Sequence, residues 1–336
     1  MATSATATTA YATTAYATTA YAKTKIIVLC GYQGSGKSTY TEKCEDCLVI
    51  SNDTMDKKIN IRKLLETTLA SGEYKSVIID NTNLTKKSRK NYVDLAKEFG
   101  IEIELVWIDS KIENCMIRVL RRQCAKFKKL YLEGISEDLE SPHIFPPAAL
   151  FRARKIFEKP ELSEGFSKIT KLPEPPIEYK GYINRAIFFD IDGTLRKTSH
   201  LPNKYPIHPS EVELIADVSL MRSIIQKYRA LGYKFFGVSN QSGIAKGILS
   251  EEDCEACMER TRELLDFRDL EIQWCSHASF PINCYCRKPQ SGLGIYFIER
   301  YKVNPYESLM VGDMTTDKTF AERLGIKYIA ANKFWI

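Results

Sequence analysis

No apolar run of about 18 residues, the length needed to cross a bilayer, occurs in this sequence, so no membrane span is expected. The first residues lack the apolar core of a signal peptide and the arginines of a mitochondrial presequence. An intracellular protein, cytoplasmic or nuclear, is the expectation that follows. Three copies of Ala-Thr-Thr-Ala-Tyr fill residues 7–11, 12–16 and 17–21, uncharged up to Lys23. Such low-complexity sequence buries too little to fold, and residues 1–24 are expected to form a disordered tail. Charge excess is also small: 48 Lys and Arg stand against 42 Asp and Glu, a net +6. That balance suits an anionic partner and serves solubility equally well. Ten cysteines are many for an intracellular enzyme, yet a chain of 336 residues with no secretion signal does not read as a disulfide framework. The length favours two domains over one.

The first half carries Gly31-Tyr32-Gln33-Gly34-Ser35-Gly36-Lys37-Ser38-Thr39. It follows a buried-strand pattern, Lys25 to Cys30, and precedes a helical one from Ser38. A phosphate-binding loop needs small residues so that successive backbone N–H groups face the phosphates. It also needs a lysine to span the β- and γ-phosphates and a hydroxyl for Mg²⁺. Gly31, Gly34, Ser35, Gly36 and Thr39 form the loop and its exit, with Lys37 the cation and Ser38 the metal ligand. ATP is the expected cofactor. Val49 to Asp53 is apolar and ends on a carboxylate at a strand end. Asp53 is therefore either the base for an acceptor hydroxyl or the cap of the next helix. Ser76 to Asp80 and Ile101 to Ile108 are further strands, and Lys86 to Phe99 is helical. The run Asn81-Thr82-Asn83 follows a strand end and is suited to grip nucleotide or acceptor. Residues 171–182 hold three prolines and read as a linker, with domains at 25–172 and 184–336 joined by 173–183.

A second strand–helix series opens with Arg185 to Phe189 and continues through Tyr233 to Val238, Ile272 to Trp274, Ser308 to Val311 and Tyr328 to Ala330. The fold class expected is α/β, as two doubly wound domains with parallel sheets. Asp190-Ile191-Asp192-Gly193-Thr194 follows the first strand of this half. Its first carboxylate is placed to attack phosphorus and its second to move protons. Ser239 and Asn240 follow a later strand and, with Thr194, are candidates to bind the phosphoryl group. Lys288 is placed to neutralise it. Asp190, Asp192 and Asp313, with Asp317 nearby, supply oxygen ligands for Mg²⁺. Cys275, His277, Cys284 and Cys286 form a ligand set suited to tetrahedral Zn²⁺; free reduced cysteines in a loop are the alternative.

The phosphate loop, Asn52-Asp53-Thr54, Ile79-Asp80-Asn81-Thr82-Asn83 with Ser88-Arg89, and Glu164-Gly165-Phe166 resemble the kinase domain of polynucleotide 5′-kinase/3′-phosphatases, over roughly residues 25–172. The resemblance implies a P-loop kinase fold in which Asp53 activates a 5′-hydroxyl. It also implies a lid arginine, Arg118, Arg121 or Arg122, with Arg122 the choice carried forward. Arg89, with Lys86, Lys87 and Lys90, becomes a candidate for phosphate contacts. Two departures weaken the acceptor grip: Ser51-Asn52-Asp53 lacks an arginine before the base, and Asp56 beside Lys57 stands where phage members have another. The second half resembles the haloacid-dehalogenase (HAD) superfamily. Ser239-Asn240-Gln241-Ser242-Gly243-Ile244-Ala245-Lys246-Gly247 is similar to the branch that includes histidinol phosphatase, heptose-bisphosphate phosphatase and the end-processing phosphatases. This implies a HAD-like Rossmannoid fold with little cap. It also implies a zinc loop at Cys275, His277, Cys284 and Cys286 that fixes the segment bearing Lys288. Cofactors implied are ATP, Mg²⁺ and Zn²⁺, and the partners are DNA or RNA strand ends. A small-molecule kinase fused to a sugar-phosphate or histidinol-phosphate phosphatase is the alternative. A degenerate scaffold is disfavoured by intact Lys37, Ser38, Asp190, Asp192, Lys288 and Asp313.

Overall fold

Ile26, Val28, Leu29 and Cys30 are fully buried, as expected for a strand covered on both faces. Residues Lys25–Cys30 form β1. The computed structural model describes residues 24–51, 61–71, 73–127, 145–280 and 284–336; the tail and Asp53 lie outside them. No described helix is long and apolar enough to cross a membrane. The chain divides into two compact units, the first holding the residues up to Cys115 and Leu150–Pro176, the second Met116–Ala149 and Ile177–Ile336.

In the first unit β1 is followed by α1 (Lys37–Thr41), β2 (Cys47–Ile50), α2 (Ile61–Ser71), β3 (Ser76–Ile79), α3 (Lys86–Phe99) and β4 (Ile103–Asp109). Helix α4 (Ile112–Phe127) is divided between the units after Cys115 and α5 (Pro147–Ile156) after Ala149, and β5 (Lys168–Pro173) completes the first unit's sheet. The sheet order is β2-β3-β1-β4-β5, and every pairing is parallel. Strand order therefore reverses at β1, and the crevice beyond its carboxyl end is where such sheets bind ligands. Strand β5 departs from the sequence reading, which saw only the approach to a proline-rich linker. Its residues are half-buried or exposed at the sheet edge, where proline is tolerated because its missing N–H faces outward. Helix α3 starts on a Thr85–Ser88 capping box and buries Val93 and Ala96 against the sheet. Each such apolar side chain contributes about 1.5–3 kcal/mol when it is as large as valine.

The second unit repeats the plan: β6 (Arg185–Phe189), β7 (Arg196–Lys197), β8 (Glu213–Leu214), α6 (Val218–Ala230) and β9 (Tyr233–Asn240). Next come α7 (Ser242–Ala245), α8 (Glu251–Leu265), β10 (Leu270–Cys275), α9 (Gly292–Tyr301), β11 (Leu309–Gly312), α10 (Thr315–Leu324), β12 (Lys327–Ala330) and α11 (Ala331–Phe334). Its main sheet is parallel, ordered β10-β9-β6-β11-β12, with β7 and β8 in a small antiparallel pair. Again the order reverses at the central strand, β6. An aromatic cluster anchors that strand: Phe189 stacks on Trp335 at 5.8 Å and meets Phe267 edge-on at 6.1 Å. Trp335 also donates from Nε1 to the Thr194 carbonyl at 2.8 Å, so the core reaches directly into the turn after β6. The two α/β sheets expected from sequence are present, with β1, β6 and α3 at their expected bounds.

Candidate active sites

The loop after β1 turns sharply, with Gly34 at φ 76° and Gly36 at φ 105°. Gly36 is doubly constrained, because an added Cβ would also lie 2.6 Å from Pro175. Lys37 Nζ donates to the carbonyls of Gly31 at 3.0 Å and Tyr32 at 2.8 Å, which folds the lysine over the loop it belongs to. Ser35 is buried, and its hydroxyl makes no hydrogen bond among the described residues. An orphaned donor inside a glycine-rich loop fits a phosphate-bearing nucleotide. Ser38 and Thr39 are exposed at the start of α1.

The Asn81–Asn83 run is tied to this loop. Gly31 N donates to Thr82 O at 3.0 Å, and Asn83 Nδ2 donates to Leu29 O at 2.8 Å. Asn83 is buried and thus braces β1 instead of facing a ligand. Asn81 is half-buried, with Nδ2 3.4 Å from Tyr92 OH. Arg89 corrects a sequence expectation. It is fully buried and donates from Nε and NH2 to the two Glu164 oxygens at 2.7 and 2.9 Å, and from NH1 to Asn83 O at 3.0 Å. Its donors are taken by the fold, so it does not reach a strand. The Glu164-Gly165-Phe166 motif has the same explanation: Glu164 meets Arg89, and Phe166 is buried in the core. Burial pushes the adjacent Cys30 thiol up to about 11. Of the arginines on α4, Arg121 is held inside the second unit by Glu299 at 2.6 Å and lies over the Tyr179 ring at 4.8 Å. Arg118 is half-buried and Arg122 is exposed.

In the second unit the site gathers at the carboxyl ends of β6, β9 and β11. Asp190 is 7% exposed. Lys288 Nζ lies 2.5 Å from Asp190 Oδ1 and 2.7 Å from Asp317 Oδ1. Thr194 Oγ1 donates to Asp190 Oδ2 at 3.3 Å. Asn240 is locked to the lysine's backbone, accepting from Lys288 N at 2.8 Å and donating to Lys288 O at 3.0 Å. Gly193 sits at φ 85°, and a Cβ there would lie 2.2 Å from Asp313 Oδ2. Only glycine lets the turn pass so close to that carboxylate.

The carboxylates of Asp190, Asp313 and Asp317 lie within 4.8 Å of one another. Burial pushes Asp190 up to about 7, against the pull of Lys288 and helped by the Asp317 charge. Burial and then the Asp317 charge raise Asp313. Lys288 is raised too: burial opposes its charge, but Asp190 and Asp317 outweigh that. Crowded anions facing one ammonium fit a divalent cation with oxygen ligands, Mg²⁺ among them. Asp192 was expected to share this cation; its side chain lies outside the three-carboxylate cluster. Its carboxylate is occupied by Arg196 Nε at 2.7 Å and Gln241 Nε2 at 2.7 Å, and Asp317 completes the cation cluster. Ser239 accepts from Gln241 Nε2 at 2.9 Å. Arg196 and Gln241 were not foreseen; the one signal was their closeness in sequence to Asp192 and Asn240.

Cys275, His277, Cys284 and Cys286 converge at the end of β10. Cys275 Sγ lies 3.7 Å from Cys284 Sγ, and His277 Nδ1 lies 3.4 and 3.2 Å from the sulfurs of Cys275 and Cys286. Tetrahedral Zn²⁺ with Zn–S near 2.3 Å and Zn–N near 2.0–2.1 Å requires S···S of about 3.8 Å and S···N of about 3.6 Å. The donor set and the Cys275–Cys284 spacing fit zinc, and the two sulfur–nitrogen distances lie slightly inside the tetrahedral value. Donation from Cys275 and then Cys286 holds the Cys284 thiol well below its usual range. None of the ten cysteines forms a disulfide, and Cys254 and Cys257 are buried on α8.

Sequence comparison matches residues 60–134 to the AAA domain family and residues 185–335 to the polynucleotide kinase 3 phosphatase family. The D-glycero-beta-D-manno-heptose-1,7-bisphosphate 7-phosphatase of Haemophilus influenzae is 33% identical over 143 residues, 40% of this chain and 74% of that protein. The histidine biosynthesis bifunctional protein HisB of Legionella pneumophila is 29% identical over 154 residues, 45% of this chain and 42% of that protein; the chain thus spans less than half of HisB. A crystal structure of a fungal RNA kinase superposes with a TM-score of 0.34 and 14% identity, over 73% of this chain and 50% of that one.

Proposed function

We propose, for a chain that belongs to the HAD-like phosphatases through residues 185–335 and carries a P-loop kinase domain ahead of them, a bifunctional nucleic-acid end-healing activity. The kinase domain moves the γ-phosphate of ATP to a 5′-hydroxyl end. The phosphatase domain removes a 3′-phosphate. The observation that carries this reading is the match of the second half to the polynucleotide kinase 3 phosphatase family, in a chain that also holds a phosphate loop. We take the domains as 25–172 and 184–336, with 173–183 between them.

In the phosphatase domain Asp190 attacks phosphorus. The P–O bond to the leaving strand breaks as a bond to Asp190 forms, giving an aspartyl-phosphate. Lys288 neutralises the phosphoryl and fixes the Asp190 carboxylate at 2.5 Å. Thr194, Ser239 and Asn240 orient the phosphoryl oxygens. Asp192 gives a proton to the departing hydroxyl and then takes one from the attacking water. Asp190, Asp313 and Asp317 would hold Mg²⁺, which would supply positive charge for the phosphoryl oxygens. The Cys275, His277, Cys284 and Cys286 quartet would hold zinc, which would stiffen the segment leading to Lys288. In the kinase domain Lys37 and the loop amides would hold the phosphates of ATP, Ser38 would hold its Mg²⁺, Asn81 would contact the substrates, and Asp53 would be the base. Arg122 is the lid arginine of this reading, because Arg121 is engaged by Glu299.

A second reading keeps the same chemistry with a sugar-phosphate or histidinol-phosphate substrate; the cysteine–histidine quartet and the heptose-bisphosphatase relative favour it. Competition separates the two. Hydrolysis of a 3′-phosphorylated oligonucleotide, compared by kcat/KM with heptose bisphosphate and histidinol phosphate, should favour the oligonucleotide. That preference should weaken as salt rises, since strand contacts release counterions. A preference for either small phosphomonoester, flat in salt, overturns the end-healing reading.

A further inference from the structure

Asp192 is gripped from two sides, and every hydrogen bond its carboxylate makes among the described residues is one it accepts. Arg196 donates from Nε to Oδ1 at 2.7 Å and from NH2 to Oδ2 at 3.3 Å. Gln241 donates from Nε2 to Oδ2 at 2.7 Å. Neither partner is a surface residue: each is 1% exposed. The turn's own backbone sets the arginine in place, since Gly193 N donates to Arg196 O at 2.9 Å and Arg196 N to Ile191 O at 3.2 Å. Gln241 is held by a second bond to Ser239 Oγ at 2.9 Å, so the clamp joins the β6 turn to the end of β9.

The clamp is poorly built as a stability device. Arg196 NH1 and Gln241 Oε1 are both buried with no hydrogen-bond partner among the described residues. Such atoms destabilise a fold, and buried charge with unmet donors gives little net stabilisation. A constellation that leaves polar atoms unmet while fixing one carboxylate from both sides points to a role for that carboxylate.

We infer that Arg196 and Gln241 are positioning residues that orient the Asp192 carboxyl group for the second half-reaction, the hydrolysis of the aspartyl-phosphate. Three N–H donors on its two oxygens fix the orientation of that group. In that step water loses a proton to an Asp192 oxygen while its own oxygen bonds to phosphorus. The bond from phosphorus to Asp190 breaks, Asp190 is regenerated as a carboxylate, and inorganic phosphate leaves. This rests on the phosphatase reading above, with Asp192 as the proton-transfer group.

The test is a rapid-quench experiment on the full chain with Mg²⁺ and p-nitrophenyl phosphate, whose leaving group departs without a proton. Arg196→Met and Gln241→Leu should each give a burst of p-nitrophenolate approaching one equivalent, followed by turnover slowed about 10²-fold, with acid-stable phosphoenzyme accumulating. Arg196→Lys should recover part of the steady rate. A merely structural role would slow the burst as well, so loss of burst and turnover together, in both variants, overturns the inference. Unchanged turnover in both overturns it equally. Asp192→Asn serves as the separate check: it too should burst and stall. If it turns over normally, the assignment of Asp192 is wrong, whatever the clamp variants do.

Discussion

Removing Glu164 should unlock the first unit from within. Arg89 has no exposure, and the Glu164 side chain is 8% exposed. The pair is bidentate at 2.7 and 2.9 Å, and the third donor holds Asn83 O at 3.0 Å. In Glu164→Leu the guanidinium stays buried without its carboxylate. Breaking one side of such a pair costs about 3–5 kcal/mol. Arg89→Met together with Glu164→Leu removes both charges and should recover most of that loss, since packed apolar side chains replace buried ion pairs with little penalty. Hydrogen exchange of the α3 and β1 amides reads the effect unit by unit, without assuming that the whole chain unfolds in one step. At about 1.4 kcal/mol per decade, the single change should speed exchange in the most protected amides by roughly 10² to 4 × 10³-fold. The double change should stay within about tenfold of the parent. Exchange in Glu164→Leu that rises less than tenfold, or a double variant as labile as the single one, refutes the reasoning that Arg89 is a structural cation.

Three further outcomes follow. Lys37→Ala should abolish ATP-dependent phosphorylation and spare phosphomonoester hydrolysis, while Asp190→Asn should do the reverse; radiolabel transfer and phosphate release, assayed side by side, check this. Gly193→Ala places a Cβ 2.2 Å from Asp313 Oδ2 at a φ of 85°, so phosphatase activity should fall at least about 10²-fold with kinase activity retained; equal loss of both would contradict the local account. Stripping zinc with a strong chelator, or Cys284→Ser, should loosen the segment before Lys288 and lower the melting temperature of the second unit; purified protein holding no zinc by elemental analysis would remove that prediction.

Much of the fold was legible because buried parallel strands read as unbroken apolar runs. Ile26 to Cys30 and Ala186 to Phe189 are such runs, and both motifs hang from their carboxyl ends. Strand β5 was hidden for the opposite reason: an edge strand with polar residues and a terminal proline carries no apolar signal. The phosphatase carboxylates were legible from spacing, yet the division of labour among them was not. The Asp192 side chain is held outside the carboxylate cluster by Arg196 and Gln241, and Gln241 lies 49 residues away in sequence. Arg89 was misread because arginine is almost never fully buried unless paired, and its partner lies 75 residues on. Composition could suggest a basic helix face, but only packing could turn one arginine inward.

In the function proposed above, one chain corrects both ends of a nucleic-acid strand. The direct measurement uses an oligonucleotide with a 5′-hydroxyl and a 3′-phosphate, incubated with ATP and Mg²⁺ and resolved on a gel. Gain of a 5′-phosphate that Lys37→Ala removes, together with loss of the 3′-phosphate that Asp190→Asn prevents, is the result expected. An unchanged oligonucleotide alongside brisk hydrolysis of a small phosphomonoester would contradict it.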